Sequence, residues 1–199
     1  MKLDGGQTAI NPLFSRVSQE FNNILRVIRE SKGNNKLKFS VYRLNRMNNC
    51  EWCNLPEEDK HFQLHENKSW AVFLADEQDY IGRCILVLKR HCNSLPELTD
   101  DEWDELRDLI CKVEECLRIV LGATLCNWSC LMNSFYKEPA PNAHLHIHVR
   151  PRYDKPVIIN GTTYTDAEFG HHYALNKSVV IPVQDKEEVF IRMKEWLNR

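Results

Sequence analysis

The segment Asn142-Ala143-His144-Leu145-His146-Ile147-His148-Val149-Arg150 constrains this chain more than any other. Imidazole and aliphatic side chains alternate strictly through it. A period of two is the mark of a strand whose faces differ. Leu145, Ile147 and Val149 supply an apolar face for a core. His144, His146 and His148 supply a face of three imidazoles, which predicts a cleft on that side. A strand that needed only solubility would carry Lys, Glu or Thr there. Three of the chain's eight histidines fall in this one stretch, so the pattern is read as chemistry.

Length and charge narrow the setting. A chain of 199 residues is long enough to bury a real core. Apolar residues make up 43% and charged residues 27%, the balance of a soluble globular protein. A net charge of −2 provides no basic field for nucleic acid or an anionic membrane, and no nucleic-acid sequence recognition is implied. No stretch reaches the length of a membrane span. The first residues lack the apolar run of a signal peptide, and several of the eight cysteines lie inside apolar elements. Reduced thiols in a cytoplasmic protein are therefore expected.

Taken in order, residues 1–11 read as a flexible start. Phe14, Val17, Phe21, Ile24, Leu25 and Ile28 repeat at threes and fours and predict an amphipathic helix from Pro12. Residues 36–43 alternate weakly, as a strand would. Cys50-Glu51-Trp52-Cys53 is a Cys-x-x-Cys loop in which two thiolates can meet one metal ion, with redox chemistry as the rival use. A closed tetrahedral site needs two further ligands. His61 and His65 sit in polar surroundings and read as solvated. Residues 69–75 and 83–88 predict an antiparallel strand pair, ended by Lys89-Arg90-His91. Thr99 with Glu102 forms a capping box that opens the strongest helix. Its stripe is Trp103, Leu106, Ile110, Val113, Leu117 and Val120, with Cys111 and Cys116 as small packing residues and Gly122 as the stop. Residues 125–132 predict another strand, residues 154–182 an irregular tail, and Asp185 with Glu188 the boxed start of a last helix.

These residues resemble the histidine triad family. His144-Leu145-His146-Ile147-His148-Val149-Arg150 is similar to its motif His-φ-His-φ-His-φ-φ, with Arg150 at the last apolar position. Gly82-Arg83-Cys84-Ile85-Leu86-Val87-Leu88-Lys89-Arg90-His91 is similar to its upstream landmark, in which a histidine follows the glycine. The resemblance covers about residues 48–153. It implies an α+β fold with an antiparallel sheet of about five strands and packed helices, plus an N-terminal and a C-terminal helix. The expected organisation is a helical extension over 1–45, the histidine triad domain over 46–153, and a tail with helix over 154–199.

The resemblance also implies a chemistry. An imidazole is a neutral nucleophile and then a good leaving group, so it can divide one hard displacement at phosphorus into two easier ones. The family pattern puts the nucleophile at His146, with His148 beside the α-phosphate. It implies a structural Zn2+ on Cys50, Cys53, His91 and His144, tying the N-terminal loop to the catalytic segment. Asp76 falls where an acid contacts ribose hydroxyls, and Asn133 where an asparagine borders the nucleotide. Asn142 stands in the segment before the triad, where Pro139-Ala140-Pro141-Asn142 replaces the family's Gly-Gln-Ser/Thr. Arg83 replaces the landmark histidine and could meet phosphate. Lys89, Arg90, Arg150 and Arg152 could add positive charge, although basic residues at strand ends are usually solvated. His171-His172 reads as exposed tail or as a segment folded over the cleft. The expected function is a hydrolase or nucleotidyl transferase acting on a dinucleoside polyphosphate, nucleoside phosphoramidate or related conjugate, in a homodimer. The alternatives are transfer to a hexose phosphate, a nucleotide-binding or partner-binding protein with little turnover, and a zinc-dependent redox or scaffold protein.

Overall fold

The computed structural model describes residues 50–137, 142–172 and 179–199. The expected N-terminal helix and the strand over 36–43 lie outside these residues. The chain forms β1 (Gln63–Glu66), β2 (Trp70–Leu74), β3 (Cys84–Leu88), α1 (Asp100–Leu121), β4 (Leu125–Ser129), β5 (His146–Arg152), β6 (Val157–Ile159), β7 (Thr162–Tyr164) and α2 (Val183–Leu197). Five strands make one antiparallel sheet in the order β1-β2-β3-β5-β4, and β6 and β7 make a separate hairpin.

Alternation decides what each sheet face does. Trp70, Val72 and Leu74 of β2 stand opposite Leu88, Leu86 and Cys84 of β3. With Val149 of β5 they form a buried face. Leu106, Leu109, Val113, Cys116 and Leu117 of α1 and Val189, Met193 and Leu197 of α2 belong to the same core. Burying such side chains stabilises by roughly 1.5–3 kcal/mol each, which is what holds helices to sheet. The opposite face carries Phe73, Ile85, Val87, His146 and His148 in neighbouring rows, and this is the face with the clefts described below.

Helix α1 opens on Thr99 and Glu102 as a full capping box and ends on Gly122 at φ 76°. Its buried stripe is turned slightly from the expected one. Leu109, Cys116 and Leu121 are buried, whereas Trp103 is 44% exposed and Cys111 is exposed. The reason is that α1 meets α2 as well as the sheet. Gly82 has φ +85°, and a Cβ there would come within 2.5 Å of Leu121 Cδ1 and 2.8 Å of Leu117 Cδ2. Glycine is thus what lets the chain pass under the end of α1 and deliver Arg83 to the start of β3.

Two expectations for the tail are corrected. Residues 154–182 are not wholly irregular, because Val157–Ile159 and Thr162–Tyr164 pair as a hairpin. Helix α2 starts at Val183 after Pro182 with no side-chain cap. Asp185 is buried and accepts hydrogen bonds from Tyr164 Oη and Asn160 Nδ2, so it anchors the hairpin instead of capping the helix. Glu188 pairs with Arg192 at 2.7 Å. No helix among the described residues is long and apolar enough to cross a membrane.

Candidate active site and metal-ligand cluster

The histidine segment is not one uniform strand. Ladder pairing with β3 begins at His146, and His144 precedes β5. Leu145, Ile147 and Val149 face the core as expected, at 1%, 8% and 0% exposure. His144 is fully buried, so only His146 and His148 belong to the cleft face of the strand.

The reason is a cluster at the N-terminal end of the segment. The ligand atoms of Cys50, Cys53, His91 and His144 all lie within 4.8 Å of one another. Cys50 Sγ is 3.2 Å and Cys53 Sγ 3.6 Å from His144 Nδ1, and Cys53 Sγ is 3.5 Å from His91 Nδ1. In a tetrahedral site with bonds of about 2.3 Å to sulfur and about 2.0 Å to nitrogen, sulfur and nitrogen ligands stand roughly 3.5 Å apart. His144 Nε2 is 2.6 Å from the Leu88 carbonyl, and donating there leaves Nδ1 with its lone pair toward the thiols. Without a cation, burial and the adjacent Cys50 push the Cys53 thiol up to about 12. A doubly charged ion reverses that preference and holds coordinating thiols deprotonated. The donors present therefore fit zinc in type, number and spacing.

Two residues further on, His146 is 5% exposed. Its Nδ1 lies 2.9 Å from the His144 carbonyl and its Nε2 lies 3.1 Å from His148 Nε2. Donation by Nδ1–H to the carbonyl fixes the tautomer in which Nε2 keeps its lone pair. Burial, then His146, Arg150 and Arg83, push the His148 imidazole down to about 3, so it is neutral near neutral pH. Trp52 stacks over His146 at 6.2 Å, and Phe135 meets it edge-on at 5.6 Å. A cleft of about 450 Å³ opens beside them, lined by Trp52, Leu55, Phe73, Asp76 and Ile85 among others. Its mixture of aromatic and aliphatic walls with a few polar groups suits a flat organic ring.

The other expected residues occupy separate positions. Asp76 sits at the rim of that cleft, its side chain 97% exposed and ion-paired to Lys186 at 3.0 Å. Asn133 begins the 3-10 turn Asn133–Lys137 and is exposed. Asn142 is half-buried just before the triad. Arg83 is buried on the far side of His148 from the metal-ligand cluster, 2.9 Å from Asp79 and 3.2 Å from Glu77. Residues 139–141 lie outside the described residues.

Charge at the strand ends is not simply solvated. Arg150 is 5% exposed and lies 3.5 Å from Asp79, while Arg152 is 3% exposed and binds Asp166 and the carbonyls of Glu168 and His171. Arg90 pairs with Glu102, and only Lys89 is exposed, beside Glu66. Through Arg152 the segment carrying His171 and His172 is tied to β5. Both of those histidines line a second cleft of about 600 Å³ with Asn127 and Phe169. Trp52, Asp79 and Ser129 had drawn no notice as sequence. Trp52 sits inside the Cys-x-x-Cys, which was the available signal. Asp79 and Ser129 had none, because only the packing brings Asp79 to Arg83 and Arg150 and sets Ser129 opposite His148.

No protein-family profile matches the sequence, and no curated protein matches it. Solved structures do match the fold. A hypothetical histidine triad nucleotide-binding protein from Sulfolobus tokodaii aligns with a TM-score of 0.54 at 15% identity, covering 75% of this chain and 92% of that one. A Zn-bound histidine triad family protein from Mycobacterium smegmatis aligns at 0.50 and 15%, covering 76% and 95%. A uridylyltransferase aligns at 0.55 and 21%, covering 82% of this chain but 49% of that one, so the likeness spans about half the transferase.

Proposed function

We propose that this chain, which has the histidine triad fold, is a nucleotide hydrolase or nucleotidyl transferase working through a nucleotidyl-histidine on His146. The observation that carries the reading is the tautomer lock. His144 O holds Nδ1–H, and a neutral Nε2 is left beside His148 at the edge of an aromatic-walled cleft. The nucleoside ring occupies the cleft lined by Trp52 and Phe73, with Asp76 at its rim toward the ribose and Asn133 and Asn142 bordering the nucleotide. The Nε2 lone pair forms a bond to the α-phosphorus as the bond to the leaving group breaks, and the leaving group takes that electron pair. Water, or an acceptor hydroxyl, then attacks phosphorus. The N–P bond breaks, its pair returns to Nε2, and the attacking group's proton passes to solvent. His148 donates to a non-bridging oxygen as charge develops there. Substrates of this chemistry are dinucleoside polyphosphates, nucleoside phosphoramidates and related nucleotidyl conjugates.

Cys50, Cys53, His91 and His144 would hold Zn2+. The ion would be structural, with four protein ligands and no open position. By fixing His144 it would steady the carbonyl that holds His146 Nδ1. A homodimer belongs to the same reading, and sedimentation of the purified chain tests it.

The functional test incubates the protein and His146→Ala with adenylated and guanylated substrates, following products and intact mass. Turnover in the parent, a loss of about 10³-fold or more in the variant, and a nucleotidyl adduct on the parent alone are expected. Tight nucleotide binding with no turnover in either protein replaces this reading with a binding module.

A further inference from the structure

Helix α2 lies beyond the segment that carries the family resemblance, yet its first turns grip the cleft beside Trp52 and Phe73. Lys186 Nζ lies 3.0 Å from Asp76 Oδ1, and Glu187 Oε1 lies 2.9 Å from His61 Nε2. Asp76, His61 and Phe62 all line that cleft. Lys186 Nζ also stands 3.8 Å over the centre of the Phe62 ring. Phe190 of α2 stacks on His61 at 5.8 Å and meets Phe62 edge-on at 5.5 Å. Behind these contacts Val189, Met193 and Leu197 are fully buried, so α2 is a firm base for them.

The ion pair between α2 and the cleft is unequal. The Lys186 side chain is 13% exposed and that of Asp76 is 97% exposed. Lysine is rarely covered to this degree, and a cation is disfavoured in the first turn of a helix, where Lys186 stands. Stability does not account for the arrangement, because a pair with so exposed a partner adds little to it. Orientation does. The Phe62 ring fixes the ammonium, and the ammonium fixes Asp76 Oδ1. The second carboxylate oxygen is left to accept from a ligand at the rim. A side chain fixed in advance has less freedom to lose when the ligand arrives.

We infer that Lys186 is a positioning residue for the nucleoside, holding Asp76 in place to accept from the ribose hydroxyls, so that the C-terminal helix sets the preference for ribose over a sugar without them. This rests on the placement of the nucleoside in the cleft of Trp52 and Phe73. Lys186 acts through Asp76 and not on the sugar itself. Without the ammonium, Asp76 is free to swing into solvent, and the ligand must order it on binding. A nucleotide that lacks the hydroxyls has nothing to offer Asp76 and is indifferent to Lys186.

The test titrates the purified full chain by calorimetry with adenosine and guanosine 5′-monophosphates and with their 2′,3′-dideoxy counterparts. Lys186→Met, which keeps the stem over Phe62 and removes the charge, stands beside the parent with Lys186→Arg and Asp76→Asn. The parent should bind the better ribonucleotide about 30-fold more tightly than its dideoxy form. Lys186→Met should lower that ratio about 5-fold and leave the dideoxy affinity unchanged, while Lys186→Arg should keep the parent ratio. Adding Lys186→Met to Asp76→Asn should change nothing further. Lys186→Gln repeats the measurement should Lys186→Met fold poorly. Equal losses on both ligands, an unchanged ratio, or the same loss in the Asp76→Asn background overturns the inference. Equal binding of the two ligands by the parent overturns it too, and leaves the nucleotide reading intact. If the parent binds no nucleotide, that reading falls and the inference with it. If the ratios behave as expected but no adduct forms on His146, only the catalytic reading falls.

Discussion

At one end of the histidine segment, four ligand atoms from three parts of the chain converge on one another, and the spare nitrogen of His144 reaches a carbonyl. At the other end, Ser129, His148 and Arg83 bury polar atoms that meet nothing among the described residues. The difference separates architecture from function. Donors that face each other at ligand spacing close a site and tie elements together. Polar atoms that are buried and remain unpaired are maintained at a cost to stability, of about 1–3 kcal/mol for each buried group. His146 lies between the two ends, and its Nδ1 meets the carbonyl of His144.

The largest expected effect tests the closed end. Cys53→Ser should lose bound zinc, measured by elemental mass spectrometry, and lower unfolding free energy by an amount on the order of 5 kcal/mol. Unchanged metal content and unchanged denaturant midpoint would remove the distinction altogether. Trp52→Ala sharpens it, since Trp52 is carried by the cysteine loop yet faces the cleft. It should keep its metal and raise KM roughly 10-fold, the effect of about 1–2 kcal/mol of lost aromatic contact. Lost metal with unchanged KM would assign Trp52 to the closed end.

The smallest effect lies away from both ends and serves as a reference. Arg90 holds the Glu102 carboxyl down at about 2, against an ordinary 4.5. The folded state therefore binds this proton less readily than the unfolded one. The stabilisation is complete above pH 4.5 and disappears as pH falls from there toward 2. Glu102→Gln should flatten that part of the acid-denaturation curve and cost about 1–2 kcal/mol at neutral pH, with no change in metal content or KM. A change in either would mean that α1 communicates with the site.

Much of this was legible before any coordinates. Period-two alternation located β5, and continuous apolar runs on either side of the turn at Asp76–Asp79 located β2 and β3, because central strands are covered on much of both faces. Thr99, Glu102 and Gly122 marked the ends of α1, because caps are local chemistry. The tail was less legible. Asp185 and Glu188 spell a capping box, yet Pro182 precedes the helix and Asp185 serves Tyr164 and Asn160. Local spelling loses where a long-range partner offers a better hydrogen bond.

The sequence by itself determined the face on which His146 and His148 stand and the pairing of Cys50 with Cys53 in one loop, since both are fixed by local spacing. The family resemblance also implied that His144 meets Cys50, Cys53 and His91, and the structure brings those four ligand atoms together. Tertiary structure alone buried Arg83 and Arg150 around Asp79 and set Ser129 opposite His148. Strand register and long-range packing have no local signature. A buried charge and a solvated one are spelled with the same residue, and only the neighbours brought by the fold tell them apart.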